Sequence, residues 1–289
     1  MEETQELEHK IPIEERLRVN HLPFKIPSAL RQLLDGFKWA IMEKNQSAVT
    51  IVDGRSGMGK TTLSFQMASY MSPNFSLNDV YFSPEKFLDG LSNTKKGERK
   101  VLVFDEAMLL SSRAALSAMN RMIVVAMSMI RSKNVFIIFN VNSIFDIDKN
   151  LALSRADLLL HCYGDSLTDK GKFLAFFKGG DGMDRIKDLY INGKKYYSYG
   201  KPKANFYSTF SSHFTLDEDE YENKKQEGIN KFLSGSQSKL GNKHLQTRDN
   251  AVRKLYELNN MTQDEIAEVV GVSPRTVQRI CEGHSGESD

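Results

Sequence analysis

Eight consecutive residues, Gly54-Arg55-Ser56-Gly57-Met58-Gly59-Lys60-Thr61, have the spacing G-x-x-x-x-G-K-[ST]. That spacing suits a chain of linked phosphates. Glycines let the backbone wrap closely with its N–H groups turned inward. A helix that begins just after the loop presents its positive end to the same anion. The Lys60 ammonium can reach the β- and γ-phosphates, and the Thr61 hydroxyl suits Mg²⁺. Gly54, Arg55, Ser56, Gly57, Met58, Gly59, Lys60, Thr61 and Thr62 are therefore the candidate nucleotide-binding residues, with ATP and Mg²⁺ as the implied cofactors.

A second landmark lies about fifty residues on, in Val101-Leu102-Val103-Phe104-Asp105-Glu106. Four apolar residues run into two carboxylates. Such a run suits a strand buried on both faces of a parallel sheet, with its acids at the carboxyl edge where these sheets bind ligands. Asp105 is the candidate to join Thr61 in holding the metal. Glu106 is the candidate to orient or deprotonate an attacking water. A further buried run, Val135 to Phe139, ends in Asn140-Val141-Asn142. An amide there could contact the γ-phosphate or the water. Pattern alone leaves both Asn140 and Asn142 open. Arg155, before a fifth apolar run, could reach a nucleotide in its own subunit or a neighbour's.

A third landmark is C-terminal. Thr262-Gln263-Asp264-Glu265 opens a helical pattern with a capping box. Gly271-Val272-Ser273 is a tight turn, and Pro274 to Ile280 is a second helical pattern. Preceded by a helix from Asp249 to Leu258, this is a helix-turn-helix arrangement whose last helix can enter a DNA major groove. Ser273, Arg275, Thr276, Gln278 and Arg279 are the candidates to face phosphates or base edges.

The elements that must position these groups follow from periodicity. Ser28 to Lys44 reads as a helix and Ala48 to Val52 as the strand before the loop. The helix after the loop starts near Thr62. Asp79 to Ser83 reads as a strand, and Pro84 to Leu91 as a helix capped by Ser83. A long helix fills Ser111 to Lys133, a short one Phe145 to Leu153, and a strand Ala156 to Tyr163. Together these form an α/β domain around a mostly parallel five-stranded sheet. From Lys170 the pattern changes: residues 173–178, 186–191 and 195–199 read as antiparallel strands joined by glycine turns. Lys170 to Lys203 holds nine basic and three acidic residues, with aromatics between them. That composition suits either a nucleic-acid track or a sheet extension with solvated lysines. The expected divisions are an arm over 1–27 and an ATPase domain over 28–232, within which 170–215 is the basic antiparallel extension. A linker over 233–246, a small all-α helix-turn-helix domain over 247–283 and a tail over 284–289 complete the chain.

Composition narrows the class. The 289 residues are 40% apolar and 26% charged, with net charge +2. These are ordinary globular values. Two cysteines far apart and six histidines without ligand spacing point away from a disulfide framework or a zinc site. The N-terminus is acidic rather than signal-like, and the longest apolar run, Met122 to Ile130, is too short to span a bilayer. The expectation is a cytoplasmic protein with no membrane span, in the host's cytoplasm if it is viral.

On these strings the larger domain resembles P-loop ATPases of the additional-strand catalytic-glutamate class, most of all the FtsK–HerA superfamily and its Zot-like phage members. Phe-Asp-Glu-Ala at 104–107, the basic Arg-Ser-Lys-Asn at 131–134 and the polar end of the next strand carry that resemblance. It departs in having Asn142 where those families usually place Gln. The resemblance implies a homo-oligomer, such as a hexameric ring, that hydrolyses ATP to move or remodel DNA. It also implies an arginine supplied across the subunit interface, with Arg131 and Arg155 as candidates. The alternative is an ATP-switched DNA-binding regulator or replication initiator that does not translocate.

Overall fold

The computed structural model describes residues 22–105, 125–126, 129–130, 133–147, 149–164, 166, 168–228, 230, 249, 252–253, 255–256, 262–270 and 272–282. The chain divides into two compact units, one ending at Gly228 and the other beginning at Ile229.

The first unit is built on a seven-stranded sheet of order β2-β3-β4-β1-β5-β6-β7. The strands are β1 Ala48–Gly54, β2 Val80–Tyr81, β3 Val101–Asp105, β4 Phe136–Asn140, β5 Leu158–Tyr163, β6 Lys172–Phe176 and β7 Phe206–Thr209. Five are parallel, while β6 and β7 run antiparallel. This is the expected five-stranded parallel sheet with an antiparallel extension. Every residue of β1, β3 and β4 is buried. Helices and loops cover both faces there, so unbroken apolar runs are the stable solution. Burial alternates in β6 and β7, as it does where one face is left open to water.

Helix α1, Ser28–Glu43, buries Leu30, Leu34, Lys38 and Ile41 along one stripe. Helix α2, Lys60–Met71, is buried over most of its circumference, including Leu63, Phe65, Met67 and Tyr70. Helix α3, Pro84–Asn93, is capped by Ser83, whose side chain accepts from Lys86 N at 3.3 Å. Residues 144–146 form a short 3₁₀ turn, and α4 spans Lys149–Ser154, where one continuous helix was expected.

The largest correction concerns residues 186–199. Residues 186–191 are not a strand: they lie in helix α5, Arg185–Gly193, capped by Asp184, which accepts from Lys187 N at 3.0 Å. Ile186, Leu189 and Tyr190 are its buried residues, at the i, i+3, i+4 spacing of a helix. Residues 195–199 form turns and bends rather than a strand. The partner of β6 is β7, paired Leu174 to Tyr207 and Phe173 to Ser208. The glycine turn at 179–182 does form, closed by Gly179 N to Met183 O at 3.0 Å. The unit ends in helix α6, residues 218–228.

In the second unit, α7 spans Gln263–Val270 and α8 spans Pro274–Glu282. Val252, Ile266, Ala267, Val277 and Ile280 form its buried core. Among the described residues no helix is long and apolar enough to cross a membrane.

Candidate functional site

The glycine loop leaves the carboxyl end of β1. Gly54 has φ +133°, and a Cβ added there would lie 2.1 Å from the Cys162 carbonyl oxygen on β5. Only glycine fits that close approach. Gly59, at φ +92°, caps α2. The Lys60 Nζ folds back over the loop to Gly54 O at 2.6 Å, Arg55 O at 3.1 Å and Asn142 Oδ1 at 3.5 Å. Arg55 and Ser56 are exposed, whereas the Met58 side chain turns into the core.

Thr61 Oγ1 donates to Asp105 Oδ2 at 2.9 Å. This bond joins the first turn of α2 to the end of β3. The sheet register sets Asn140 between Asp105 of β3 and Val52 near the end of β1. Asn140 and Asn142, left open by pattern, have different surroundings. Asn142 is exposed and touches Lys60. Asn140 is buried and accepts from Ser64 Oγ of α2, while its Nδ2 meets no acceptor among the described residues.

A cavity of about 600 Å³ opens over these groups. The glycine loop and Thr61–Thr62 form one wall, with Asp105, Asn140 and Asn142 between. The other wall comes from Lys170, Phe214 and the α6 residues Glu218, Tyr221, Glu222 and Lys225. Tyr221 was not anticipated. Its hydroxyl donates to Asp105 Oδ2 at 2.8 Å, the oxygen that Thr61 also reaches. Its ring is enclosed by Phe65, Phe82 and Phe214. Burial, and then the Asp105 charge, push the phenol well above its ordinary value, so it remains a donor. One signal was present in the sequence: Tyr221 is the lone large apolar residue between Asp217 and Gly228. That marks it as inward-facing without naming its partner.

The residues present fit a Mg²⁺-bound triphosphate. Thr61 and Asp105 offer the hard oxygen ligands Mg²⁺ takes. Gly57 has open space where a side chain would stand. The cavity-lining Asn140 carries a buried donor in want of an acceptor.

Glu106 and Arg131 lie outside the described residues. Arg155 is half-buried and precedes β5, whereas the loop meets β5 at Cys162. Residues 155–157 are turn and bend, and the strand from Leu158 to Cys162 then rises roughly 13 Å. Arg155 therefore stands toward the amino end of β5, at the other end of that strand from the glycine loop.

In the second unit the capping box is complete: Thr262 N donates to Glu265 Oε2 at 2.7 Å and Glu265 N to Thr262 Oγ1 at 3.3 Å. On α8, Arg275, Gln278 and Arg279 are exposed, and Val277 and Ile280 face the core. Ser273 is exposed and Thr276 half-buried, with their hydroxyls 2.9 Å apart. The Ser273 oxygen also accepts from Thr276 N at 3.3 Å, so this pair caps α8.

Residues 50–162 match the ATPase family associated with various cellular activities (AAA). Residues 252–286 match the helix-turn-helix family. The chain carries a P-loop ATPase domain and a helix-turn-helix domain. Among solved structures, the N-terminal domain of zonular occludens toxin from Neisseria meningitidis aligns at 16% identity and a TM-score of 0.31. The alignment covers 61% of this chain and 98% of that one. No curated protein sequence matches.

Proposed function

We propose that this chain is an ATP-hydrolysing, DNA-associated motor that translocates, packages or transfers DNA, working as a homo-oligomer in a phage, virus or plasmid system. The observation that carries the reading is the Thr61–Asp105 hydrogen bond beside Lys60, in a chain that also bears a helix-turn-helix domain. A loop lysine, a hydroxyl and a strand-end carboxylate converging on one cavity are the parts that phosphoryl transfer to water needs.

In this reading Gly54–Thr62 bind the phosphates of ATP through backbone N–H groups, and Lys60 holds the β- and γ-oxygens. Thr61 and Asp105 would hold Mg²⁺, which would supply charge neutralisation at those oxygens. Glu106 takes a proton from the attacking water. The water oxygen bonds to the γ-phosphorus as the bond to the β–γ bridging oxygen breaks, giving ADP and phosphate. The buried Asn140 donor suits the γ-phosphate or the water, and Asn142 keeps Lys60 in place. Arg131 or Arg155 acts across a subunit interface. Arg275, Gln278 and Arg279 contact DNA, and Ser273 and Thr276 first hold the start of α8.

The test is ATP turnover with Mg²⁺, with and without duplex DNA of several lengths. Turnover is expected to rise with DNA and with its length. Lys60→Ala and Glu106→Gln should each lower it by a factor of about 100 or more. Turnover indifferent to DNA, with tight binding of one DNA site, would replace the motor with an ATP-switched regulator or initiator.

A further inference from the structure

Residues 189–216 contain no acidic residue, although the chain has 37 in 289. The same 28 positions hold Lys194, Lys195, Lys201 and Lys203. All four lysines are exposed, and no ion pair among the described residues engages them. Tyr196, Tyr197 and Tyr207 are 71%, 61% and 77% exposed. They are the exposed aromatics of the first unit among the described residues. A large ring left in water is the informative exception in a folded surface, and three in one stretch that holds lysines and no acid mark a binding face.

The sheet register places this face. Asp53, His161, Leu174 and Tyr207 pair in turn across β1, β5, β6 and β7, so they form one row on one side of the sheet. The Tyr199 ring stacks on His161, with centroids 3.5 Å apart and planes at 12°. Tyr207 therefore stands two strand spacings, roughly 10 Å, from that stack. The Tyr199 hydroxyl donates to Asp53 Oδ2. Asp53 is fully buried; it also accepts from Ile144 N at 2.8 Å and lies 2.8 Å from His161 Nδ1. The next residue is Gly54, whose carbonyl holds Lys60 and whose N–H donates to Asn142 O at 3.1 Å. The loop 194–203 is thus pinned at its middle to the residue that precedes the glycine loop.

We propose that loop 194–203 and β7 bind a single nucleic-acid strand, and that Tyr199 conveys its presence through Asp53 to the glycine loop. This rests on the DNA-associated reading above and gives it a second contact, distinct from the helix-turn-helix. Lysines neutralise phosphates whatever the base sequence. Exposed tyrosine faces stack on bases, and only unpaired bases present a face to stack on. The strand is therefore single rather than duplex.

The test uses the full chain carrying Arg275→Ala and Arg279→Ala to silence the helix-turn-helix. Fluorescence anisotropy then measures a labelled oligo-dT and a labelled duplex against this parent. Adding Tyr196→Ala with Tyr207→Ala should weaken oligo-dT binding at least about five-fold per ring. Adding Lys194→Ala with Lys195→Ala should flatten the slope of log affinity against log salt by about 1.4. Binding of a fluorescent ATP analogue should persist in both, which establishes that they fold. Tyr199→Phe, in a chain with an intact helix-turn-helix, should bring the ratio of DNA-stimulated to basal turnover toward one while oligo-dT affinity stays within about two-fold. A parent that binds oligo-dT as tightly as its patch variants do refutes this inference and leaves the DNA-associated ATPase standing. A preference of the patch for duplex refutes the single-strand assignment, and an unchanged ratio with Tyr199→Phe refutes the coupling. If the unmodified chain binds no DNA and its turnover ignores DNA, both readings fall.

Discussion

The two walls of the candidate nucleotide cavity are held in different ways. The glycine-loop wall stands on β1, β3 and β4, strands buried at every residue, and its contacts run from β-strand ends to the first turn of α2. The opposite wall, with Phe214 and Tyr221, is brought in from beyond β7 and held by aromatic packing on Phe65, by Gln66 and Ser69 of α2 bonding residues 211–215, and by the Tyr221 hydroxyl on Asp105. The first wall turns on a backbone approach at Gly54 that admits no side chain. The second is made by side chains laid over it. Damage to the first should act through folding, and damage to the second through the poise of Asp105.

Gly54→Ala offers the largest contrast. A Cβ at that position meets the backbone of β5, so a loss of about 3 kcal/mol or more is expected in urea unfolding. Gly57→Ala, with open space around it, should cost only about 1–2 kcal/mol of backbone strain. If the two substitutions cost the same, the close approach of β1 to β5 is not what demands glycine.

Tyr221→Phe keeps the ring and removes the donor. One charge-assisted hydrogen bond to Asp105 is lost, which should lower stability by about 1–3 kcal/mol. The Mg²⁺ concentration needed for half-maximal ATP binding should rise in the same variant. A stability loss with no change in Mg²⁺ dependence would make Tyr221 a packing residue only.

The smallest effect is on alkaline titration. Burial is the leading cause that raises the phenols of Tyr70, Tyr199 and Tyr221, each beside a carboxylate. The folded chain holds those protons more tightly than the unfolded chain does. Stability is therefore full below about pH 10, the ordinary tyrosine value, and falls as pH rises past it. The expected slope is up to about 1.4 kcal/mol per pH unit for each group. Ultraviolet titration should show these three of the ten tyrosines ionising only as the chain unfolds. Three smooth titrations near pH 10 in the folded chain would contradict that.

The same contrast explains what could be read from the chain. The motif Gly54–Thr61 is local, and its chemistry demands those residue types at that spacing, so the loop, Lys60 and the Asp105 strand end were legible. So was the sheet, since unbroken apolar runs appear in β1, β3 and β4. Residues 186–191 were misread because the helical spacing of Ile186, Leu189 and Tyr190 extends over barely one turn and Asn192-Gly193 resembles a hairpin turn. Tyr199 and Tyr221 were out of reach for another reason. Their bonds to Asp53 and Asp105 span 146 and 116 residues, and no local pattern encodes such a meeting.

Helix α6 has a practical consequence for anyone who wishes to cut this chain. The stretch that matches the ATPase family stops at residue 162, and the sheet is complete at Thr209. A fragment trimmed to either point would retain the whole phosphate-gripping loop yet lack the helix that lines the cavity across from it. Such a fragment should be soluble only with its aromatic interior laid bare around Phe65, and its nucleotide affinity would understate that of the intact chain. A fragment designed to keep both walls of the cavity should run through residue 228.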